Sequence, residues 1–343
     1  MKSKYSLIFI ILFIITFIFI ILDLFLGSVT IPVMEIIKIF LGSETSNQQY
    51  QTIIFEFRIP KVITAILAGS ALSVSGLQMQ TIFRNPLAGP FVLGISAGAS
   101  LGVAIVVLGF SSFFVSNISG MFGTWAIAIA AWLGSGFILF LILIVSLRVK
   151  DIMTILILGI MFGSATIAIV SILQYFSSES MLKAFFIWTM GNLGAVTNSH
   201  LQILLPSIIF ALILSFFSAK MLNALLIGEN YAKTMGLNIK LARILVFIST
   251  SILAGSITAF CGPIGFIGIA VPHITRILFK TANHNFLIPA TILIGSIVML
   301  LSDIISQLPG NDSNLPINSI TSLIGIPVIF WIIIKNQKLV NLS

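Results

Sequence analysis

The sequence predicts an all-α integral membrane protein with about ten transmembrane helices and an inverted internal repeat. Its composition is 58% hydrophobic and only 8% charged, whereas soluble domains carry about 25% charged residues. Long apolar runs separated by short polar breaks recur along its 343 residues, and a bilayer requires about 20 apolar residues per helical span. The pentapeptide Ile-Leu-Ala-Gly-Ser occurs twice, at 66–70 and at 252–256, each time inside an apolar run.

Ten segments are apolar and long enough to be read as spans. They are 7–26, 62–79, 91–110, 122–147, 152–176, 201–218, 241–261, 264–279, 286–307 and 319–334. The first is interpreted as a retained helix, because a signal peptide has an apolar core of only about 7–15 residues. The polar stretch 28–60 follows it and contains a short amphipathic run near 32–40.

The basic residues predict the orientation of these spans. With both termini in the cytoplasm, ten spans place 13 of the 17 Lys and Arg residues inside and four outside, as the positive-inside rule requires. The outer four are Lys38, Arg58, Lys61 and Lys183. In this topology the two pentapeptides run in opposite directions. The halves at about 58–176 and 241–334 would then form an inverted repeat within one domain covering 1–343, an arrangement typical of transporters.

The sequence offers little chemistry of its own. It contains no phosphate-binding Gly-x-x-x-x-Gly-Lys-[Ser/Thr] motif, and no nucleophile–base pattern or metal-ligand spacing. Cys261 is its single cysteine, and His200, His273 and His284 are far apart. We therefore predict no catalytic residue, cofactor or metal. The scattered basic residues indicate membrane lipid as a partner and not nucleic acid.

A secondary active transporter is the alternative that the inverted repeat alone suggests. Ion-coupled carriers keep ionisable groups along their pathway. Asp303 is the one carboxylate that the sequence places clearly inside a span. This scarcity argues against the alternative without removing it.

Glycine spacing indicates a helix-packing face. Gly94, Gly98 and Gly102 recur every four residues, so they share one side of a helix. Small residues at this spacing let helix backbones approach closely in lipid. The face either packs inside one bundle, which we prefer, or contacts a second copy.

The longest predicted cytoplasmic loop, 220–240, contains Gly228-Glu-Asn-Tyr-Ala-Lys-Thr-Met-Gly236-Leu237. It predicts a short amphipathic helix with Ala232, Met235 and Leu237 on one side, ended by Gly236. This helix either lies on lipid headgroups or its own bundle, or docks a cytoplasmic partner.

Several motifs in the same order resemble those of the FecCD-type permeases, the membrane subunits of ATP-driven type II importers for ferric siderophores, haem and cobalamin. The motifs are Arg58-Ile-Pro60-Lys61, Arg84-Asn85-Pro86-Leu87-Ala88, Gly228-x-x-x-Ala232-x-x-x-Gly236, Gly262-Pro-Ile-Gly265 and Val271-Pro272-His273-x-x-Arg276. The resemblance spans almost the whole chain.

The resemblance implies a permease subunit in the bacterial cytoplasmic (inner) membrane, paired with a second copy or a sister chain, with the translocation path along the dimer axis. Its substrate would be an iron–siderophore complex, haem or cobalamin. Two ATP-binding subunits on the cytoplasmic side would hydrolyse ATP, so this chain would be a transport subunit and not an enzyme.

The resemblance also implies roles for particular residues. The ATPase-coupling loop would be formed by Gly228, Glu229, Ala232, Met235, Gly236 and Leu237. Arg58 and Lys61 would pair with acidic residues of an extracytoplasmic solute-binding protein, or else anchor a helix at the membrane interface. Asn85, Pro86 and Leu87 match the cytoplasmic gate, although Asn-Pro also favours an ordinary turn.

Overall fold

The structure, a computed structural model, describes residues 2–27, 29–42, 47–109, 121–149, 151–307 and 315–340. All regular secondary structure within these ranges is helical. The α-helices are α1 (Lys2–Phe25), α2 (Val33–Phe40), α3 (Gln48–Thr52), α4 (Ile59–Ile82), α5 (Ile95–Ala104), α6 (Met121–Arg148), α7 (Ile152–Tyr175), α8 (Glu179–Thr189), α9 (Asn198–Ile227), α10 (Glu229–Thr234), α11 (Ile239–Cys261), α12 (Ile267–Phe279), α13 (His284–Gln307) and α14 (Ile317–Val340).

Each of the ten predicted spans coincides with an apolar helix, apart from Phe110, which lies outside the described residues. Among the residues that the structure describes, seven helices are long and apolar enough to cross a bilayer. Three shorter apolar helices, Ile95–Gly109, Ile267–Phe279 and Ile317–Trp331, account for the other predicted spans. The predicted fold class, an all-α membrane protein, is confirmed.

The second span is longer than predicted. A continuous helical stretch of 35 residues, Gln48–Ile82, replaces much of the expected polar loop. Within it, α3 passes into α4 through the π-helix Ile53–Arg58, where the N–H of Ile59 donates to the carbonyl of Ile54. Pro60 has no N–H and cannot continue an ordinary α-helical ladder. The wider π turn carries the chain past it without a break.

Two predicted spans begin later than expected because their first turns are interrupted. Segment 91–110 opens with a 3₁₀ turn at Pro90–Leu93, and α5 begins only after Gly94, whose φ is 72°. In the same way α12 begins after Phe266, whose φ is 64°. A glycine adopts this left-handed conformation without steric cost, whereas a phenylalanine requires surrounding contacts to hold it there.

The centre of the bundle is formed by α4 and α11, the most deeply buried of the long apolar helices. Helix α4 packs against α11, α12 and α13, and α11 also packs against α6 and α9. No side chains separate α4 from two of these neighbours where they cross. Gly69 faces the backbone of Gly295 on α13, and Gly76 faces the backbone of Gly268 on α12.

Contacts with residues 190–195 show that α4 and α11 run in opposite directions. Lys61, near the start of α4, lies beside Gly194. The carbonyl of Cys261, at the end of α11, accepts the backbone N–H of Asn192 at 2.8 Å. The antiparallel arrangement agrees with the topology predicted from the pentapeptides. We refer to the end that carries Lys61 as the outer end and to the opposite end as the inner end.

The crossing of α4 and α12 yields a stability prediction. A Cβ atom at position 76 would overlap the backbone of Gly268, so Gly76→Ala should destabilise the protein by about 1–3 kcal/mol through overpacking. Thermal unfolding in detergent measures the effect. Gly136→Ala is the matched control, because a Cβ there meets nothing within 4 Å. Equal melting temperatures for the two variants would contradict the crossing.

Candidate functional site

The segment predicted to couple to an ATPase forms a short helix between two glycines at the inner end. Helix α10 leaves α9 at Gly228, whose φ of 138° is outside the range that L-residues commonly adopt. It ends in a Schellman motif, in which the N–H of Leu237 donates to Ala232 and that of Gly236 donates to Lys233, both at 3.0 Å. Gly236 has φ 86° and stops the helix, as predicted.

The side chains of this segment do not share one face as the sequence suggested. Ala232 is fully buried and packs into the inner hydrophobic core together with Leu237. Met235 is 63% exposed, and so is Tyr231 at 60%. The prediction was wrong for Met235 because α10 ends at Thr234, so Met235 has left the helical face. The exposed apolar surface of α10 is formed by Tyr231 and Met235.

An ion pair ties α10 to α11. The Nη2 atom of Arg243 lies 2.8 Å and 3.0 Å from the two carboxylate oxygens of Glu229. The pair lines a cleft of about 590 Å³ between α10, the start of α11 and the end of α6. Arg148, Lys233 and Lys240 also line this cleft, so most of its charged side chains are basic.

The residues predicted to form the gate make a compact turn, 84–88, after α4. The side-chain oxygen of Asn85 accepts a hydrogen bond from the N–H of Leu87 at 2.9 Å. The backbone carbonyl of Asn85 accepts one from the N–H of Ala88 at 3.0 Å. The carbonyl of Pro86 accepts the Nε2–H of His273, on α12, at 2.8 Å. Leu87 is exposed. We call residues 84–88 the gate turn.

A polar network that the sequence did not reveal joins the end of α4 to α9, α12 and α13. Arg276 donates to the side-chain oxygen of Gln80, whose amide group donates to the carbonyl of Ile269. The ring of His284 lies 2.9 Å from the hydroxyl of Thr81 and 2.8 Å from the side-chain oxygen of Asn223. The i, i+3 spacing in Val-Pro-His-x-x-Arg was the available signal, because it places His273 and Arg276 on one helix face.

At the outer end, Arg58 and Lys61 are engaged inside the chain. Arg58 is buried and donates to the carbonyls of Leu24, Phe25 and Val29, at and just after the end of α1. Lys61 pairs with Asp303 of α13 at 3.0 Å. These contacts fit the anchoring interpretation, and docking of a binding protein by the two residues stays a prediction.

A second buried carboxylate, that of Asp23, is connected to Asp303 through Gln307. Asp23 of α1 and Asp303 both accept from the side-chain amide of Gln307, at 3.1 Å and 2.8 Å. Both carboxylates are almost completely buried. The sequence suggested Asp303 alone, since Asp23 lies close to the expected end of its span.

The predicted glycine face is formed by Gly98 and Gly102, and the prediction was wrong for Gly94, because Gly94 lies before the start of α5 with φ 72° and faces another helix. Gly98 faces Gly134 of α6, Gly102 faces Ala130 of α6, and Gly94 faces Gly159 and Gly163 of α7. These contacts fit packing within one bundle. The polar groups Gln78 and Gln80 are also bonded within the chain, Gln78 to Ser218 and Thr250.

Paired interrupted helices within a bundle of apolar helices are typical of membrane transporters. The chain belongs to the FecCD transport family, which its sequence matches over residues 14–335. It is therefore an ABC importer permease and a multi-pass protein of the inner membrane.

Individual relatives agree with this family. The chain is 32% identical to the hemin transport system permease protein HmuU of Yersinia pestis, over 91% of this chain and 92% of that protein. It is 33% identical to the vitamin B12 import system permease protein BtuC of Salmonella typhi, over 83% of this chain and 84% of that protein. A solved inward-facing structure, assigned to a metal-chelate type ABC transporter, superimposes with a TM-score of 0.83 at 27% identity, over 96% of this chain and 99% of that chain.

The ion pair between Lys61 and Asp303 at the outer end yields a second prediction. Lys61→Met should destabilise the protein by about 3–5 kcal/mol, because it leaves the buried carboxylate of Asp303 without its positively charged partner. Thermal unfolding in detergent tests this. Lys38→Met is the matched control, since Lys38 forms a more exposed pair with Glu35 and such pairs contribute about 1 kcal/mol or less. Similar melting temperatures for both variants would show that the buried pair contributes little.

Proposed function

We propose that this chain is the permease subunit of an ATP-driven importer for iron–siderophore complexes, or for haem or a corrinoid. It works as a dimer, with itself or with a sister chain, and with two cytoplasmic ATP-binding subunits. The relatives that transport hemin and vitamin B12, and the structural neighbour of the metal-chelate type, support this substrate class. The observation that carries the ATP-driven assignment is the exposed apolar surface of α10.

The surface of α10 is suited to docking a soluble subunit. Tyr231 and Met235 are exposed, while Ala232 holds the helix against the bundle. Aromatic residues and methionine are enriched in protein interfaces. The basic cleft beside α10 adds a surface that favours acidic groups on the partner. Both features lie at the inner end, which the positive-inside rule assigns to the cytoplasm together with both termini.

The two halves, 58–176 and 241–334, are proposed to be inverted repeats, and helix packing supports the correspondence. Helix α4 packs on α13, and its counterpart α11 packs on α6, the counterpart of α13. The repeat glycines occupy these same contacts, since Gly69 faces Gly295 and Gly255 lies next to Ser135. The interrupted helices α5 and α12 also correspond. Paired interrupted helices in two halves are a pointer to the substrate path of transporters.

The gate turn is proposed to close the inner end of that path. Asn85, Pro86 and Leu87 stand at the end of the central helix α4, and Leu87 is exposed there. At the outer end, Arg58 and Lys61 are proposed to receive the solute-binding protein. Their internal bonds require that docking be measured at low and high salt, because exposed ionic contacts are screened by salt and a folding defect is not. Charge reversal that leaves docking unchanged at low salt would contradict this role.

A secondary carrier would need a carboxylate that is free to exchange a coupling ion. Asp303 is paired with Lys61. The side-chain amide of Gln307 donates to both Asp23 and Asp303. The ion pair with Lys61 supports a structural role for Asp303 and does not favour the carrier.

The native mass of the complex, purified in mild detergent, tests the proposal. Two permease chains of 37.1 kDa, or one with a sister chain, should appear with two ATP-binding subunits. Transport in vesicles should stop without ATP. A monomer or dimer of this chain that transports substrate alone would contradict the proposal and favour the secondary carrier.

The docking surface can be tested separately. Tyr231→Asp combined with Met235→Asp should weaken binding of the ATP-binding subunit by at least about 30-fold, the effect of losing interface hot spots. Co-purification at increasing dilution measures the loss. Thr234→Asp adds a charge to an exposed position of the same helix outside the cleft and keeps Tyr231 and Met235, so it should retain the partner. Full retention by the double variant would place the docking surface elsewhere.

A further inference from the structure

The gate turn and the coupling segment, residues 228–237, both donate a hydrogen bond to one backbone oxygen atom, the carbonyl oxygen of Leu225. The Nη2 atom of Arg84 donates to the carbonyl of Leu225 at 3.0 Å. The same carbonyl accepts the backbone N–H of Gly228 at 3.2 Å. Leu225 lies in the last turn of α9, and α10 departs from Gly228. A displacement of α10 that reaches the end of α9 therefore moves the acceptor of Arg84.

The backbone around this bond is held in defined and uncommon conformations. Arg84 has φ 47° and is one of three non-glycine residues with positive φ in the described chain. Its side chain is exposed, so burial does not orient the guanidinium group. Such a backbone conformation persists where its surroundings determine it, and the hydrogen bond to Leu225 is the contact that reaches Arg84 from another helix.

The other side of the gate turn is tied to the bundle. His273 of α12 donates to the carbonyl of Pro86 at 2.8 Å. Arg276 and the carbonyl of Ile269, both on α12, are bonded to Gln80 of α4. The gate turn thus lies between an anchor on α12 and a link to α9, and the link leads directly to the coupling segment.

We propose that Arg84 transmits the displacement of the coupling segment to the gate turn. It is a positioning residue, since it links two segments of the protein and is assigned no substrate contact. The proposal rests on the proposed function, because the displacement is supplied by the ATP-binding subunits. Hydrogen bonds from a charged donor are stronger than neutral ones, which suits a bond that must hold while one segment pulls on another.

Spin labels introduced as Leu87→Cys in this chain, and at the corresponding position of the second permease chain of the complete transporter, measure the width of the gate directly. The native Cys261 is buried and adds little background labelling. The distance between the labels should change when ATP binds, and Arg84→Gln should abolish this change. Substrate transported per ATP hydrolysed should then fall by about tenfold, as expected for the loss of a hydrogen bond from a charged group, while the ATP-binding subunits remain bound and hydrolyse ATP.

Two variants serve as controls. Lys220→Gln removes a positive charge from the same helix that carries Leu225, without touching the gate turn, and should preserve the distance change. Arg84→Lys keeps a charged donor and should restore most of the coupling. A purely structural effect would lower the melting temperature of the complex without separating transport from hydrolysis.

A normal distance change and a normal transport ratio in Arg84→Gln would overturn the proposal. If that variant does not assemble, Arg84→Met provides the same test with a side chain of similar length. Failure of both to assemble would also overturn it, because Arg84 would then be required for folding. A wild-type complex that lacks ATP-binding subunits would count against the proposed function instead.

Discussion

Backbone contact between the central helix α4 and its neighbours is the constraint on which the rest of the structure depends. Lipid provides no hydrophobic force between helices, so close packing must hold the bundle together. Gly69 and Gly76 let α4 touch α13 and α12 without intervening side chains. These close crossings fix the position of α4 at the centre of the bundle. Its two ends carry the two groups of functional candidates.

The two ends of α4 are built by different physical means. At the outer end, Lys61 of α4 and Asp303 of α13 form a buried ion pair, and leaving one of these charges alone in a medium of low polarity would be costly. At the inner end, short segments with positive φ at Arg84, Gly228 and Gly236 are joined by hydrogen bonds close to the surface. The outer end is therefore held by a buried ion pair, and the inner end by hydrogen bonds near the surface together with a hydrophobic core.

Much of the fold could be predicted, because a bilayer demands long apolar segments that are visible in any sequence. The ten spans, the opposite directions of α4 and α11 and the stop at Gly236 all followed from composition, charge and glycine. Errors occurred where local chemistry overrides the apolar pattern. A π turn accommodates Pro60, and two helices begin only after Gly94 and Phe266. Met235 lies beyond Thr234, the last residue of α10.

The sequence by itself determined the class of fold, the number of spans and the motifs that place the chain among importer permeases. Only the tertiary structure decided which side chains are partners. Lys61 meets Asp303, Arg84 meets Leu225, and His273 meets Pro86 across pairs of helices distant in the chain. Hydropathy and spacing describe one helix at a time, whereas these contacts depend on where helices cross and how they are rotated against each other.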